Sequence, residues 1–168
     1  NVIVENGITS IGEGALAELI ILEKVEILGE ITEIGEWAFY GCPKLKKINI
    51  PDSVTVIGER AFGNCSSLEP INIPEKILEI GEWAFENCSG LKNWDVVLPD
   101  TIQKISLGAF SGTAIKSLTT PFLGVGPNGA DYTERYSNHV GYMFGDEQWS
   151  GSYAAYDSVS ERTYYLPK

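Results

Sequence analysis

The chain has one histidine, one methionine, three cysteines and twelve basic residues against 23 acidic ones in a length of 168. Each shortage excludes something. A lone His139 cannot supply the cluster of imidazoles or thiolates that a zinc site gathers, and it leaves few acid–base schemes open. A net charge of -11 repels phosphate backbones, so no nucleic-acid partner is expected. An odd, sparse set of cysteines does not make a disulfide framework. No apolar run approaches the roughly 20 residues of a spanning helix, and no signal-peptide zones open the chain, so this segment is not expected to insert into a membrane. G-x-S-x-G, H-E-x-x-H, Walker and dinucleotide fingerprints are all missing, so neither a catalytic residue, a metal site nor a cofactor is expected.

What is present is a repeat. Leu16, Phe39, Phe62 and Phe85 stand 23 residues apart, and Phe110 follows after 25. Ile8, Ile31, Val54, Ile77 and Ile102 keep the same steps, as do Ile11, Ile34, Ile57, Ile80 and Ile105, and likewise Ala15, Ala38, Ala61, Ala84 and Ala109. Four columns sharing one insertion define a period, and a period of this length means stacked units. The insertion is expected at Trp94 and Asp95, after which every column is displaced by two. The first unit is degenerate but in register, with Leu19 in the cysteine column, and Val2 and Val4 fit the closing strand of a further unit. The array is therefore expected to begin mid-repeat.

Each unit carries three pieces. Leu45, Ile48 and Ile50 end on the period of two that marks a strand, with Lys46, Lys47 and Asn49 outward, and the V-T-x-I-G stretch reads as a second short strand. Between them G-E-x-A-F-x-x-C places Ala, Phe and Cys at helical spacing, which predicts a short helical turn. No unit can bury its own apolar face, so neighbours must stack and the core is built at their interfaces. The expected fold is an α/β repeat solenoid, a right-handed superhelix of about five units over residues 5 to 121.

The unit I-T-E-I-G-E-W-A-F-Y-G-C-P-K-L-K-K-I-N-I-P, from Ile31 to Pro51, resembles the BspA-like, or Treponema-type, leucine-rich repeat. The resemblance runs from Ile8 to Pro121; the first unit departs from it in lacking Phe and Cys, and the last has Thr113 in place of Cys. The tail pieces S-L-T-T-P-F-L-G, H-V-G-Y-M-F-G and T-Y-Y-L-P-K are similar to a segment that interrupts such arrays, so the chain looks like a slice of a longer protein. The resemblance implies a secreted or cell-surface bacterial protein used in adhesion or in binding a protein on a host or bacterial surface.

Candidate binding residues fall in two groups. Lys46, Lys47, Asn49, Glu69, Asn72, Lys92 and Lys116 are outward strand positions on the face where solenoids usually meet partners. Trp37, Arg60 and Trp83 share one column, and can be read either as a platform for a carbohydrate or peptide or as a cation–π ladder along the flank of the core; the ladder is favoured because such contacts are common. Glu13, Glu36, Glu59 and Glu82 form an acidic column with two readings, a cation ladder or partners of a helix dipole, of which the second is favoured. Cys42, Cys65 and Cys88 share a core column and are expected to be buried free thiols, since parallel side chains do not present a disulfide torsion. Residues 122 to 168, rich in Gly and Tyr, are expected to interrupt or cap the array, with strands near Val140–Phe144 and Tyr164–Leu166 and with Phe122, Tyr142 and Phe144 docked on its end. Two other functions stay open, a carbohydrate-binding module and a spacer for another domain.

Overall fold

The computed structural model describes residues 1–121 in full and, beyond them, the backbone of two strands. In chain order the strands are β1 Val2–Val4, β2 Ser10–Ile11, β3 Lys24–Ile27, β4 Glu33–Ile34, β5 Lys47–Ile48, β6 Val56–Ile57, β7 Glu79–Ile80, β8 Asp95–Val97, β9 Lys104–Ile105, β10 Ser117–Thr119, β11 Ser152–Asp157 and β12 Arg162–Pro167. The array is a solenoid of five coils whose strands pair in parallel with their counterparts one coil away.

One side of the coil is a five-stranded ladder, β2-β4-β6-β7-β9. Its register pairs Ile11, Ile34, Ile57, Ile80 and Ile105 in succession, so the isoleucine column seen in the sequence is the inward row of this sheet. The other strand side is split into β1-β3-β5 and β8-β10. Coil three contributes no strand between them, and its residue in the Lys24 and Lys47 column is Pro70. Proline has no N–H to donate, so the ladder reaches Lys46 O through Glu69 N at 3.0 Å and stops there.

The third side differs from the expected helical turn. The described residues contain no helix; residues 36–41 and their counterparts run through linked turns. Two columns explain this. Gly14, Trp37, Arg60, Trp83 and Gly108 all have φ between 48° and 62°, and Glu18, Gly41, Asn64, Asn87 and Gly112 lie between 57° and 68°. A left-handed residue every fourth position prevents the i to i−4 ladder of a helix. Local bonds instead close over three residues, as from Ala38 N to Gly35 O at 3.3 Å and Tyr40 N to Trp37 O at 3.0 Å. The intervening amides point along the array: Trp37, Phe39 and Gly41 donate to the carbonyls of Glu59, Ala61 and Gly63 at 2.8, 2.7 and 2.8 Å. The turn side is thus a third hydrogen-bonded wall.

Inside, Phe39, Phe62, Phe85 and Phe110 are fully buried and stack face to face, with centroids 5.2, 5.3 and 5.6 Å apart. Coils approach so closely that a Cβ on Gly81 would lie 2.6 Å from the backbone nitrogen of Glu59, and one on Gly58 equally near Glu36, which is why glycine holds this column in the middle coils; Ser106 takes the position in the last. The two-residue insertion falls two residues earlier than expected, at Lys92 and Asn93, because Asp95 pairs with Ser117 in the strand register. Trp94 takes the place that Glu23 holds in coil one, its carbonyl accepting from Lys116 and Ser117 as that of Glu23 does from Lys46 and Lys47. Asn93 adopts φ 56°, and the indole turns into the core, edge-on to Phe85 and Phe110 at 6.0 and 6.3 Å.

In the tail, Tyr164–Leu166 falls within β12, which pairs antiparallel with β11 from Ser152↔Pro167 to Asp157↔Arg162. Val140–Phe144 and the docking of Phe122, Tyr142 and Phe144 lie outside the described residues.

Candidate functional site

The two groups of candidate residues lie on different sides of the coil. Lys47, which opens β5, and Lys46 just before it are exposed on the split strand face; Lys47 reaches Glu69 at 3.9 Å, whereas Lys46 has no ion-pair partner among the described residues. Asn49 and Asn72 also sit on this face, but their side-chain amides are engaged. Asn49 Oδ1 accepts from Ile27 N at 2.9 Å while its Nδ2 donates to Ile27 O at 3.0 Å, and Asn72 Nδ2 donates to Ile50 O at 2.8 Å. These two residues hold adjacent coils together where the short strands end. Lys92 lies in the insertion before β8, not in a strand. Lys116 pairs with Asp95 at 3.1 Å, and the Ser117 hydroxyl also donates to that carboxylate; together they hold Asp95 below its ordinary range.

A groove of about 480 Å³ crosses the face over coils one to three. It is lined by Lys46, Lys47 and Asn49, and also by Lys24, Glu26 and Pro70, which sequence reasoning did not single out. Column alignment contained the signal, since Lys24, Lys47 and Pro70 occupy one column. The degenerate first unit hid it.

Trp37, Arg60 and Trp83 are brought together on the turn side. The Arg60 guanidinium lies 5.1 Å from the Trp37 ring centroid and 4.6 Å from that of Trp83. The Trp83 indole packs on Gly108, where a Cβ would come within 2.4 Å of Cδ1 and Nε1, and Tyr40 meets Trp37 edge-on at 4.7 Å. Arg60 Nε also lies 3.3 Å from a Glu86 carboxylate oxygen, yet it is buried without an aligned hydrogen bond, so that contact is a Coulombic pairing only. The geometry is the cation–π ladder: Arg60 fills the space between the indoles.

The acidic column Glu13, Glu36, Glu59 and Glu82 sits on turns, so the helix-dipole reading falls with the helix. No group of three or more His, Cys, Asp or Glu among the described residues could hold a metal ion. The cysteines are free and buried, each Sγ donating to a carbonyl of the preceding coil: Cys42 to Leu16 at 3.2 Å, Cys65 to Phe39 at 3.1 Å and Cys88 to Phe62 at 3.0 Å. Burial pushes the Cys65 thiol up to about 12 and raises Cys42 and Cys88 as well, the reverse of what a nucleophile requires. His139 lies outside the described residues. No helix among the described residues is long and apolar enough to cross a membrane.

Parallel ladders, a 23-residue coil and a stacked phenylalanine spine define a leucine-rich repeat solenoid. The BspA type Leucine rich repeat region matches in six copies over residues 1–116, and the chain belongs to that family. Among solved structures it is similar to the leucine-rich repeat protein of T. pallidum, with a TM-score of 0.64 and 31% identity over 71% of this chain and 57% of that one. A leucine-rich repeat protein from Bacteroides ovatus gives a TM-score of 0.61 and 33% identity, covering 68% of this chain and 29% of that one. One from Eubacterium ventriosum gives 0.61 and 26%, covering 76% and 34%. The chain thus spans less than two thirds of the length of each. No match was found among curated proteins. Leucine-rich repeat families typically serve as protein-interaction scaffolds rather than as enzymes.

Proposed function

We propose that this array is a non-catalytic binding and adhesion module of a secreted or cell-surface bacterial protein, recognising a protein ligand of a host or bacterial surface through its strand face. The observation that carries the reading is the grid of exposed side chains at Lys24, Lys46, Lys47 and Glu69 over the groove, set on coils fixed by main-chain bonds. A surface already ordered loses little freedom when it binds, which favours affinity for a given area. The extracellular placement rests on the family resemblance.

The carbohydrate alternative has weaker support. A sugar needs an open aromatic face, and Trp83 has Arg60 on one side and Gly108 against the other. A spacer role predicts no binding at all. Biolayer interferometry against a panel of host extracellular-matrix proteins and bacterial surface proteins separates the three, with Lys46→Glu/Lys47→Glu and Trp37→Ala/Trp83→Ala variants alongside. Loss of a protein interaction in the lysine variant alone is expected. Binding to a glycan array that disappears in the tryptophan variant would make the module a lectin, and silence on both supports would make it a spacer.

A further inference from the structure

We propose that the face of Trp37 turned towards coil one is a binding site for an arginine side chain of a protein partner, on the turn wall and apart from the strand face. The chain supplies its own template. Trp37, Arg60 and Trp83 stack along one column, with the Arg60 guanidinium 5.1 Å from the first indole centroid and 4.6 Å from the second. The two ends of this stack differ. Beyond Trp83 stands Gly108, where a Cβ would lie 2.4 Å from indole atoms, so the outer face of Trp83 is closed by main chain. Beyond Trp37 stands Gly14, exposed and with nothing within 4 Å of its Cβ position, so coil one lays no side chain of the column over the indole. Tyr40 does not fill the gap, because its ring lies 2.9 Å from the Cβ position of Gly63 and so leans towards coil three. One face of Trp37 is left open.

Charge names the occupant. Residues 12–19 and 35–41, the turn segments on either side of the gap, hold Glu13, Glu18 and Glu36 and neither lysine nor arginine. All three carboxylates are exposed, and none has an ion-pair partner among the described residues. A cation over the indole meets the negative face of the ring within a field of these carboxylates, and a planar guanidinium can lie flat on it as a compact ammonium cannot. Arg60 already does so on the opposite face. A neutral sugar would use the ring and leave the charges idle, and an acidic group would be repelled. The platform is also fixed before binding, since Trp37 N donates to Glu59 O at 2.8 Å and the indole rests against Tyr40 at 4.7 Å, so little freedom is lost on contact. The turn wall is a different side of the coil from the strand face, so this contact is additional to the ligand proposed there and does not depend on it.

The test is an NMR titration of the 168-residue chain, read on the indole N–H signals of its four tryptophans, with the end-blocked tripeptide glycyl-arginyl-glycine and with the same peptide carrying citrulline, which is neutral and nearly the same shape. Trp37→Phe assigns the Trp37 signal. Expected are a saturable shift of that signal with the arginine peptide and binding at least about fivefold weaker with the citrulline peptide. Gly14→Arg puts a guanidinium of this chain in the gap, in a column that already holds Trp37 and Arg60 at φ 59° and 48°, and should abolish the shift; Gly14→Ala, with the same backbone cost and no side chain to reach the ring, should keep it. The citrulline comparison needs no variant and decides the matter if Gly14→Arg does not fold. Equal affinity for the two peptides, an arginine shift that survives in folded Gly14→Arg, or no shift up to the solubility of the peptide overturns the assignment. A shift from methyl glucoside with none from the arginine peptide overturns it as well and makes the face a sugar site.

Discussion

Phe62 is the centre of the spine, and its removal should do more than lower stability. The ring is fully buried and stacked on Phe39 at 5.2 Å and on Phe85 at 5.3 Å, nearly parallel to both. Phe62→Ala removes the transfer term and leaves a cavity that main-chain bonds on three sides keep from collapsing, so the loss should fall at about 3–5 kcal/mol. Phe62→Leu keeps most of the volume but forfeits two ring contacts of ~0.5–1.5 kcal/mol each, giving about 1–3 kcal/mol. Leu16→Ala, in the same column of the half-buried first coil, should cost about 1–2 kcal/mol, under the ~2–5 range of a fully buried leucine. Because a stacked array is held by nearest-neighbour interfaces, weakening coil three acts on two of them at once and should divide the melt into two steps. Urea unfolding followed by tryptophan fluorescence can see this, since Trp37 reports one side of the lesion and Trp83 and Trp94 the other. A loss under about 1 kcal/mol for Phe62→Ala, with one unbroken transition, would refute the reasoning, because it would mean that the spine is not what couples the coils.

Native protein should resist a thiol reagent at pH 8 and expose all three cysteines in guanidinium, as an absorbance assay with a disulfide reagent would show. Burial pushes the folded Cys65 thiol up to about 12 from an ordinary 9.0, so its contribution to stability is intact below pH 9 and is lost as pH rises from there towards 12; Cys65→Ala should lack that part of the alkaline slope in pH-dependent unfolding. Gly81→Ala must push its Cβ away from the Glu59 backbone and should cost about 1–3 kcal/mol in thermal melts, whereas Gly12→Ala, with nothing within 4 Å, should be nearly silent. Arg60→Ala should cost about 1–2 kcal/mol, from two cation–π contacts of ~0.5–1 each, and change tryptophan emission. An unchanged spectrum in that variant would mean that the guanidinium does not touch the indoles.

From the second coil on, the inward rows were legible because burial repeats with the coil, in the isoleucine, alanine, phenylalanine and cysteine columns alike; in the first coil Ile8, Ala15 and Leu19 keep the spacing but are exposed. The turn side was misread for a reason that lies in backbone geometry. Ala38, Phe39 and Cys42 have helical spacing, and a tryptophan in the middle does not advertise a positive φ. The sign was present across the columns, where Gly14 and Gly108 flank Trp37, Arg60 and Trp83, and Gly41, Asn64, Asn87 and Gly112 share another. Glycine and asparagine favour that region, so a column in which they keep returning marks it even where other residues intervene. On the strand face the lysines were found, but Asn49 and Asn72 were assigned to a ligand. Alternation shows which way a residue points, and it cannot show that a side-chain amide has turned back to bond the neighbouring main chain.

The one-way amides of the turn wall also make the coils interchangeable. Each coil offers donors to the next and acceptors to the one before, so every joint has the same chemistry. Excising residues 54–76 would join Ser53 to Ile77 with all inward columns intact, and Gly35 would then face Gly81 as it now faces Gly58. Such a cut would lay Trp37 directly on Trp83 with no guanidinium between them, and would remove Pro70 together with the interruption it causes. Length changes in this chain are therefore quantised. A whole coil can be lost or copied at any joint, whereas a stray pair of residues must be absorbed at a corner, as Lys92 and Asn93 are, where the wall of hydrogen bonds is not broken.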